Sequence, residues 1–492
     1  MMEKAFAASV YDLFAMRAKA APEALAIVDG EVRLSYAEMR ARVDAVAADF
    51  AARRLARGER IAILSENRLE YTAVQLACAK LGLIAACLNW RLSDPEMRHC
   101  IELVDPSLLV ASPRHMERAA GAANGRPLSA IDGLGASGDS ASVAQPEDGL
   151  LIIYTSGTTG LPKAAVISHR AEVARMCAMR LDMGVAMSDA YISWAPMFHM
   201  GGTEHLLATL MCGGTGVIID GFDADALVDA LEEFSVGWLM LVPATIEPLL
   251  ERLDARQAKV RGVKAVGCMA DLVPSATIAA VTQALKAPYL NSFGATETGM
   301  PPLSADLIPV GATPSAFPKR LSLYANCVSW ALTATTCPTA KPGRLAYGAR
   351  RCSAVTGTPM PPTPSASRAD GSTWATCSAA AHRVRLRRPV QVSHQVGGEN
   401  IYPAEIERVL FADARVNDAI VVRKLDPQWG EIPVAVIARN DPSLDEDGVM
   451  RMCREALAGY KRPKAVRFIA MDAFPRSASG KIIREEVEAM IW

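Results

Sequence analysis

The stretch YTSGTTGLPKAAVISH, residues 154–169, reads as a loop built to hold phosphate. It follows the apolar run Leu150 to Ile153 and ends in Pro162 and Lys163. Gly157 and Gly160 let the backbone turn its N–H groups inward. The hydroxyls of Thr155, Ser156, Thr158 and Thr159 add donors, and Lys163 supplies a mobile positive charge. A P-loop NTPase orders its loop G-x-x-x-x-G-K-[ST]. That order is absent: Gly160 is followed by Leu161, Pro162 and Lys163, and Ala164 stands where a magnesium-binding hydroxyl would be needed.

Five further stretches follow in order: PMFHMGG at 196–202, GCMADLVP at 267–274, NSFGATETG at 291–299, GGENIYPAEIE at 397–407 and PRSASGKIIR at 475–484. With the loop, they resemble the signatures of the acyl-adenylate-forming superfamily, which includes acyl-CoA and aryl-CoA synthetases, peptide-synthetase adenylation domains and firefly-type luciferases. The resemblance implies a site. ATP would be held by Thr155, Ser156, Gly157, Thr158, Thr159, Gly160 and Lys163, by Ala270 and Asp271, and by Ser292, Phe293, Gly294, Ala295 and Thr296. Phe293 would stack on adenine and Thr296 would contact phosphate. Glu297 and Thr155 would hold Mg2+, a hard cation for which one carboxylate, a hydroxyl and phosphate oxygens suffice. His199 would gate the carboxylate pocket, Lys481 would drive adenylation, and Gly397 and Gly398 would face CoA. The segment 267–274 departs from the family's Gly-Ala-Pro wording.

Composition agrees with a large enzyme acting on small molecules. With 492 residues, 51% of them hydrophobic, and a net charge of −1, the chain can build two or three cores and has no electrostatic case for nucleic acid. Residues 1–14, MMEKAFAASVYDLF, lack the basic stretch, apolar core and cleavage site of a signal peptide, and none is expected. The most apolar stretch, Tyr71 to Trp90, contains Lys80 and Asn89 and predicts a buried helix plus strand rather than a membrane span. Eleven cysteines without C-x-x-C spacing predict reduced thiols, no zinc site and a cytoplasmic setting.

Short apolar runs alternate with amphipathic segments, which predicts an α/β protein. Ser35 to Glu38 form a capping box opening a helix whose Met39, Val43, Val46, Ala47 and Phe50 share one face. A strand is predicted at Arg60 to Leu64, a helix from about Glu70 to Gly82 and a strand near Leu83 to Leu88. The resemblance implies a large N-terminal adenylate-forming domain, residues 1–389, with mixed sheets and packed helices. A small mobile α+β domain, residues 390–492, would carry Lys481.

The pattern breaks down between about 320 and 397. From Leu307 to Gly398, 92 residues, Asp370 is the only acidic residue, although the chain holds 53. The family places a ribose-binding Asp and a hinge Asp-Arg pair there, and both are missing. Codons offer an account. The codons of Thr373 to Ser378, each begun one base earlier, permit His-Met-Gly-Asp-Leu-Phe, the family's ribose-binding wording. The same shift over Ala349 to Thr358 permits Pro-Thr-Leu-Phe-Ser-Gly-Tyr-Trp-Asn. In the frame that begins two bases earlier, Leu386 to Val396 permits Phe-Val-Asp-Arg-Ser-Lys-Tyr-Leu-Ile-Lys-Ser, running into Gly397. The pattern implies that three single bases are lost, near residues 320, 380 and 397, and the expectation for the chain as written is poor order and no convincing strands over 321–396.

The implied reaction is that of an acid–CoA ligase with ATP, Mg2+ and CoA. Trp194, Met197, Met200, Val242 and Pro243 suggest an apolar acyl or aryl pocket, and no acidic residue is placed to bind an amino acid's ammonium group. A fatty or aromatic acid is therefore expected. The absence of a carrier segment after Trp492 is read here against a peptide synthetase. Expected partners are the acid, ATP and CoA, with no nucleic acid, no transmembrane segment, and a homodimer left open. The alternative reading is a catalytically impaired remnant lacking the ribose Asp and hinge pair. Resequencing codons 315–400 of the source DNA should reveal three additional bases restoring Gly-Asp-Leu and Asp-Arg; an unchanged sequence refutes the frame reading.

Overall fold

The computed structural model describes residues 8–138, 140–155, 162–270, 273–299, 304–322, 399–426, 430–475, 482 and 484–491. Between 327 and 396 it describes the strands Cys327–Trp330, Gly343–Tyr347, Ala375–Ala380, Arg383–Arg387 and His394–Val396.

The helices begin and end where side-chain chemistry permits. Ser35 Oγ accepts the Glu38 N–H at 3.3 Å while the Glu38 carboxylate takes the Ser35 N–H at 2.8 Å, and helix Tyr36–Ala52 follows. Its Met39, Val43, Val46, Ala47 and Phe50 are all buried, as their spacing predicts. Helix Leu69–Leu81 stops at Gly82, whose φ of 66° is left-handed and favours glycine. That helix is buried along nearly its whole length and is followed by strand Ile84–Cys87, so the apolar stretch 71–90 is core.

A six-stranded sheet runs in the order Leu128–Ala130, Leu108–Ala111, Arg60–Leu64, Ile84–Cys87, Gly149–Thr155 and Lys163–Ser168. All neighbours are parallel except the last pair. Parallel strands need crossovers, and helices Leu69–Leu81 and Asp94–Val104 supply two. Both faces are covered. Ile61, Ile63, Leu108, Val110, Leu151 and Ile153 enter one core, while Ala62, Leu64, Leu109, Ala111 and Ile152 enter another.

Two four-stranded sheets complete the nucleotide-side architecture. One is ordered Val32–Ser35, Leu25–Asp29, Gly216–Ile218, Tyr191–Ser193; the other is Val236–Leu239, Val263–Val266, Tyr289–Leu290, Leu307–Ile308. A parallel bridge from Ala190 to Val236 joins them edge to edge. Between 319 and 387 an antiparallel sheet orders Lys319–Arg320, Arg383–Arg387, Ala375–Ala380, Gly343–Tyr347 and Cys327–Trp330. The sequence offered no convincing strand alternation there; a backbone ladder needs none, because its donors and acceptors belong to the main chain.

The small C-terminal domain is a mixed sheet built on the long antiparallel pair Val416–Asp426 and Gly430–Arg439. Ala465–Phe468 pairs in parallel with Gly430–Arg439, and His394–Val396, itself paired with Glu399–Ile401, meets the same strand at Gly430. Alternate residues face opposite ways. Ala419, Val421, Ala435 and Ile437 pack with Ile401, Ile406 and Tyr460, whereas Ile420, Val422, Val434 and Val436 pack with Phe474, Ile482 and Val487.

The large domain carries one buried phenol that ties two elements. Tyr36 donates its hydroxyl toward the Gly214 carbonyl at 2.8 Å, with the Leu210 carbonyl at 3.1 Å. Removing it in Tyr36→Phe should lower stability by about 1–3 kcal/mol, because the carbonyls lose their donor; chemical denaturation with intrinsic fluorescence checks it.

Candidate active site

Five motif segments leave their sheets at the carboxyl ends of strands. Thr155 ends Gly149–Thr155, Trp194 to His199 follow Tyr191–Ser193, Met240 to Pro243 follow Val236–Leu239, Gly267 to Ala270 follow Val263–Val266, and Asn291 to Gly299 follow Tyr289–Leu290. Ligands of open α/β sheets bind outside these ends. The phosphate loop differs from a P-loop in topology as well as sequence: Thr155 and Lys163 are cross-strand partners, so the loop joins two antiparallel strands rather than a strand and a helix. Ser156, Gly157, Thr158, Thr159, Gly160, Asp271, Gly397, Gly398 and Lys481 lie outside the described residues.

The PMFHMGG segment is set by buried polar groups. The Asn67 amide Nδ2 lies 2.8 Å from the Ala195 carbonyl and 3.0 Å from that of Ile219, while its Oδ1 accepts the Met197 N–H at 2.8 Å. The glycines are required by space. A Cβ on Gly202 would stand 2.3 Å from the Pro196 carbonyl oxygen, and one on Gly201 would stand 2.7 Å from Met240 Sδ. Their absence lets helix Met200–Cys212 start directly after His199. His199 Nδ1 accepts the Gly201 N–H at 3.2 Å, so the neutral ring carries its proton on Nε2.

His199 lines a cleft with Thr155, Pro162, Asn89, Leu92, Tyr154 and Phe198 of the large domain and Tyr460 and Lys461 of the small one. Trp194, Met197 and Met200 are buried in the large domain's core, and Val242 and Pro243 are half-buried at the start of helix Pro243–Ala255. The Trp194 indole donates to the Met240 carbonyl at 2.8 Å and meets Phe222 edge-on, with centroids 5.6 Å apart.

The two nucleotide motifs are joined directly. Met269 donates its N–H to Ser292 Oγ at 3.0 Å, beside the fully buried Ala270. Gly267, at φ +75°, sits against the Tyr289 ring, where a Cβ would come within 2.1 Å of Cζ. Phe293 is half-buried, with its N–H 3.4 Å from Ser304 Oγ. Gly294 is exposed, Ala295, Thr296 and Glu297 are half-buried, and reciprocal bonds between Ala295 and Gly299 close their turn, the Gly299 N–H reaching the Ala295 carbonyl at 2.7 Å.

Beneath this turn lies a buried charge cluster the sequence did not reveal. Arg175 donates to Glu204 Oε1 and to the Glu297 carbonyl, each at 2.7 Å, and Gly299 packs on its side chain. Glu172 and Glu204 are fully buried. Burial pushes both carboxyls above the usual range, Glu172 further through the charge of Glu204, while Arg175 pulls against it. Burial also holds His205 neutral, its imidazole pushed down to about 3. Burial raises the Tyr402 phenol, and the charges of Glu297 and Glu405 raise it further.

Among the described residues no cluster of three or more His, Cys, Asp or Glu side chains could hold a metal by itself. Glu297 and Thr155 would offer hard oxygens to Mg2+ as a partner of the nucleotide, whose phosphates would supply the rest.

Residues 14–316 match the family described as AMP-binding enzyme, and 405–481 match the AMP-binding enzyme C-terminal domain. The chain belongs to the AMP-binding enzymes. It is 30% identical over 507 residues to an indoleacetate–CoA ligase of Aromatoleum aromaticum, covering 96% of each chain. It is 30% identical over 502 residues to a feruloyl-CoA synthase of an Amycolatopsis species, again covering 96% of each. Its fold matches an o-succinylbenzoate CoA synthetase of Bacillus subtilis with a TM-score of 0.80 at 22% identity, covering 98% of both chains. The AMP-binding enzyme described here is an ATP-dependent acid–CoA ligase of the acyl-adenylate type, using ATP, Mg2+ and CoA. The comparisons give no support to the remnant reading.

Asn67, Arg175, Tyr460 and Lys461 were not legible as site residues. Asn67 carried one faint signal, a lone amide just past a strand's carboxyl end. Replacing Arg175 by Met should cost about 3–5 kcal/mol, because it leaves buried Glu204 without its cation; Glu204→Gln on the same background should recover part of it. Thermal denaturation of both variants measures this.

Proposed function

We propose that this ligase activates an aromatic carboxylic acid, with Lys481, Thr155, Thr296 and His199 as its working residues. The observation that carries the reading is the cleft itself, which Thr155 of the phosphate loop and His199 of the acyl-side segment both line. In the first step a carboxylate oxygen attacks the α-phosphorus of ATP, and the bond to pyrophosphate breaks. In the second, the CoA thiol attacks the acyl carbon, AMP leaves, and the thiol proton is released.

Both steps demand placement and charge neutralisation more than covalent help. Lys163 and the loop hydroxyls hold the polyphosphate, and Thr296 orients the α-phosphate. Phe293 and the 267–271 segment grip adenine. Bound Mg2+, held by Glu297 and Thr155, supplies further charge neutralisation at the phosphates. Lys481 acts as a point charge on a flexible stem, suited to entering and leaving with its domain. His199, with its proton on Nε2, presents a donor to the acid's carboxylate.

An aromatic acid is favoured over a fatty one because Phe198 lines the cleft beside His199, and Trp194, which begins the same segment and meets Phe222 edge-on, adds flat apolar surface to it. The relatives, an indoleacetate–CoA ligase and a feruloyl-CoA synthase, support the same class. Our reading places the domain boundary at 389–390. It places the enzyme in the cytoplasm, supported by the seven free thiols found among the described side chains. No described helix is long and apolar enough to cross a membrane.

Pyrophosphate release and thioester formation, measured with indoleacetate, ferulate, 2-succinylbenzoate and octanoate, should be greatest with an aryl acid. Lys481→Ala should lose adenylation by about a hundredfold or more, as for removal of one preorganised charge-stabilising group. Full adenylation by that variant, or preference for octanoate, overturns the corresponding part.

A further inference from the structure

Glu96, on helix Asp94–Val104 of the large domain, meets two residues of the small domain in a buried ion cluster. Lys461 Nζ lies 2.8 Å from Glu96 Oε1 and 2.8 Å from Glu405 Oε2, and none of the three side chains is more than 3% exposed. Neighbouring groups reinforce the contact. The Ala458 N–H donates to Glu96 Oε2 at 3.2 Å, and the Ser93 hydroxyl stands 2.9 Å from the Ala456 carbonyl. Burial alone would raise Glu96, but Lys461 and then Ser93 outweigh it and hold the carboxyl below its usual range. The large domain thus presents a fixed negative charge to a lysine of the small one.

The two faces of the small domain's sheet point in opposite directions. Tyr460 packs on the face that also holds Ile401 and Ile406, and Tyr460 and Lys461 reach the cleft beside Thr155 and His199. Ile482 packs on the other face, with Ile420, Val422, Val434 and Val436. Ile482 directly follows Lys481. The arrangement seen here therefore turns the Tyr460–Lys461 face toward the nucleotide motifs and the Ile482 face away from them. A reaction that needs Lys481 at the phosphates requires another orientation of the same domain.

We propose that Glu96, Lys461 and Glu405 are positioning residues that clamp the small domain in the orientation serving thioester formation, and that this clamp opens for adenylation. The inference rests on the role proposed above for Lys481. Its chemistry makes opening inexpensive. When the domains part, Lys461 keeps Glu405, on its own domain, and Glu96 keeps the Ser93 N–H at 2.8 Å. No ion is left buried without a partner, the condition that makes broken ion pairs costly. The clamp is therefore strong when closed and releasable when needed, as an alternating domain demands.

The test separates the half-reactions in the full-length protein, using the acid that turns over fastest in the panel above. ATP–pyrophosphate exchange reports adenylation, and single-turnover thioester formation from preformed adenylate reports the second step. Glu96→Gln keeps the shape but removes the charge, and should slow thioester formation by about tenfold or more, the worth of a hydrogen bond to a charged group. Exchange should stay unchanged or become faster. Ser93→Ala should shift the two rates in the same sense by less, and it carries the test alone if Glu96→Gln does not fold. Equal losses in both half-reactions, or no loss in either, overturn the clamp. Failure of the ligase reading shows separately, as exchange missing from the unaltered protein or retained by Lys481→Ala.

Discussion

Parallel strand pairing is the constraint on which the site depends. Strands Val236–Leu239, Val263–Val266 and Tyr289–Leu290 run side by side in one direction, so the segments that follow them emerge at one edge. Tyr191–Ser193 is brought alongside by the bridge from Ala190 to Val236, which adds the PMFHMGG segment to the same edge. Residues separated by a hundred positions thereby become neighbours without any of them having to recognise another. The hydrogen-bond ladder, a main-chain property, does the assembling, and the side chains are left free for chemistry.

Buried polar groups then turn this rough assembly into a defined shape. Asn67 holds the Ser193 to Met197 backbone, and Arg175 holds the Glu297 carbonyl from below. Each is inaccessible to water, so its hydrogen bonds cannot be exchanged for solvent and a misplaced loop would leave donors orphaned. Specificity of conformation at the site comes from these groups more than from apolar packing, which tolerates small displacements. Glycine supports them by absence: at Gly202 and Gly267 a methyl group would occupy space already held by the Pro196 carbonyl or the Tyr289 ring.

The elements legible in the sequence were those governed by neighbours along the chain. The capping box at Ser35, the stripe from Met39 to Phe50 and the strand at Arg60–Leu64 depend on residues within a turn or two, and all stand as read. The segment 321–396 shows the opposite case. No alternation announces its strands, yet five are formed in it, because main-chain pairing requires only extended backbone within reach.

By itself the sequence determined the family, the order of the nucleotide motifs and the type of chemistry, since those reside in residue types at fixed short spacings. Thr155, Lys163, His199 and Glu297 could be named from it because their motifs are local. Only the tertiary structure decided that Thr155 and Lys163 would face each other across a hairpin, that Arg175 would lie beneath Glu297, and that Glu96 would meet Lys461 across 365 positions of chain. Those contacts depend on how sheets and domains are laid against one another. A lone Asn, Arg or Glu in a sequence looks the same whether it ends in solvent or in a buried pair, and it is burial that gives the pair its force.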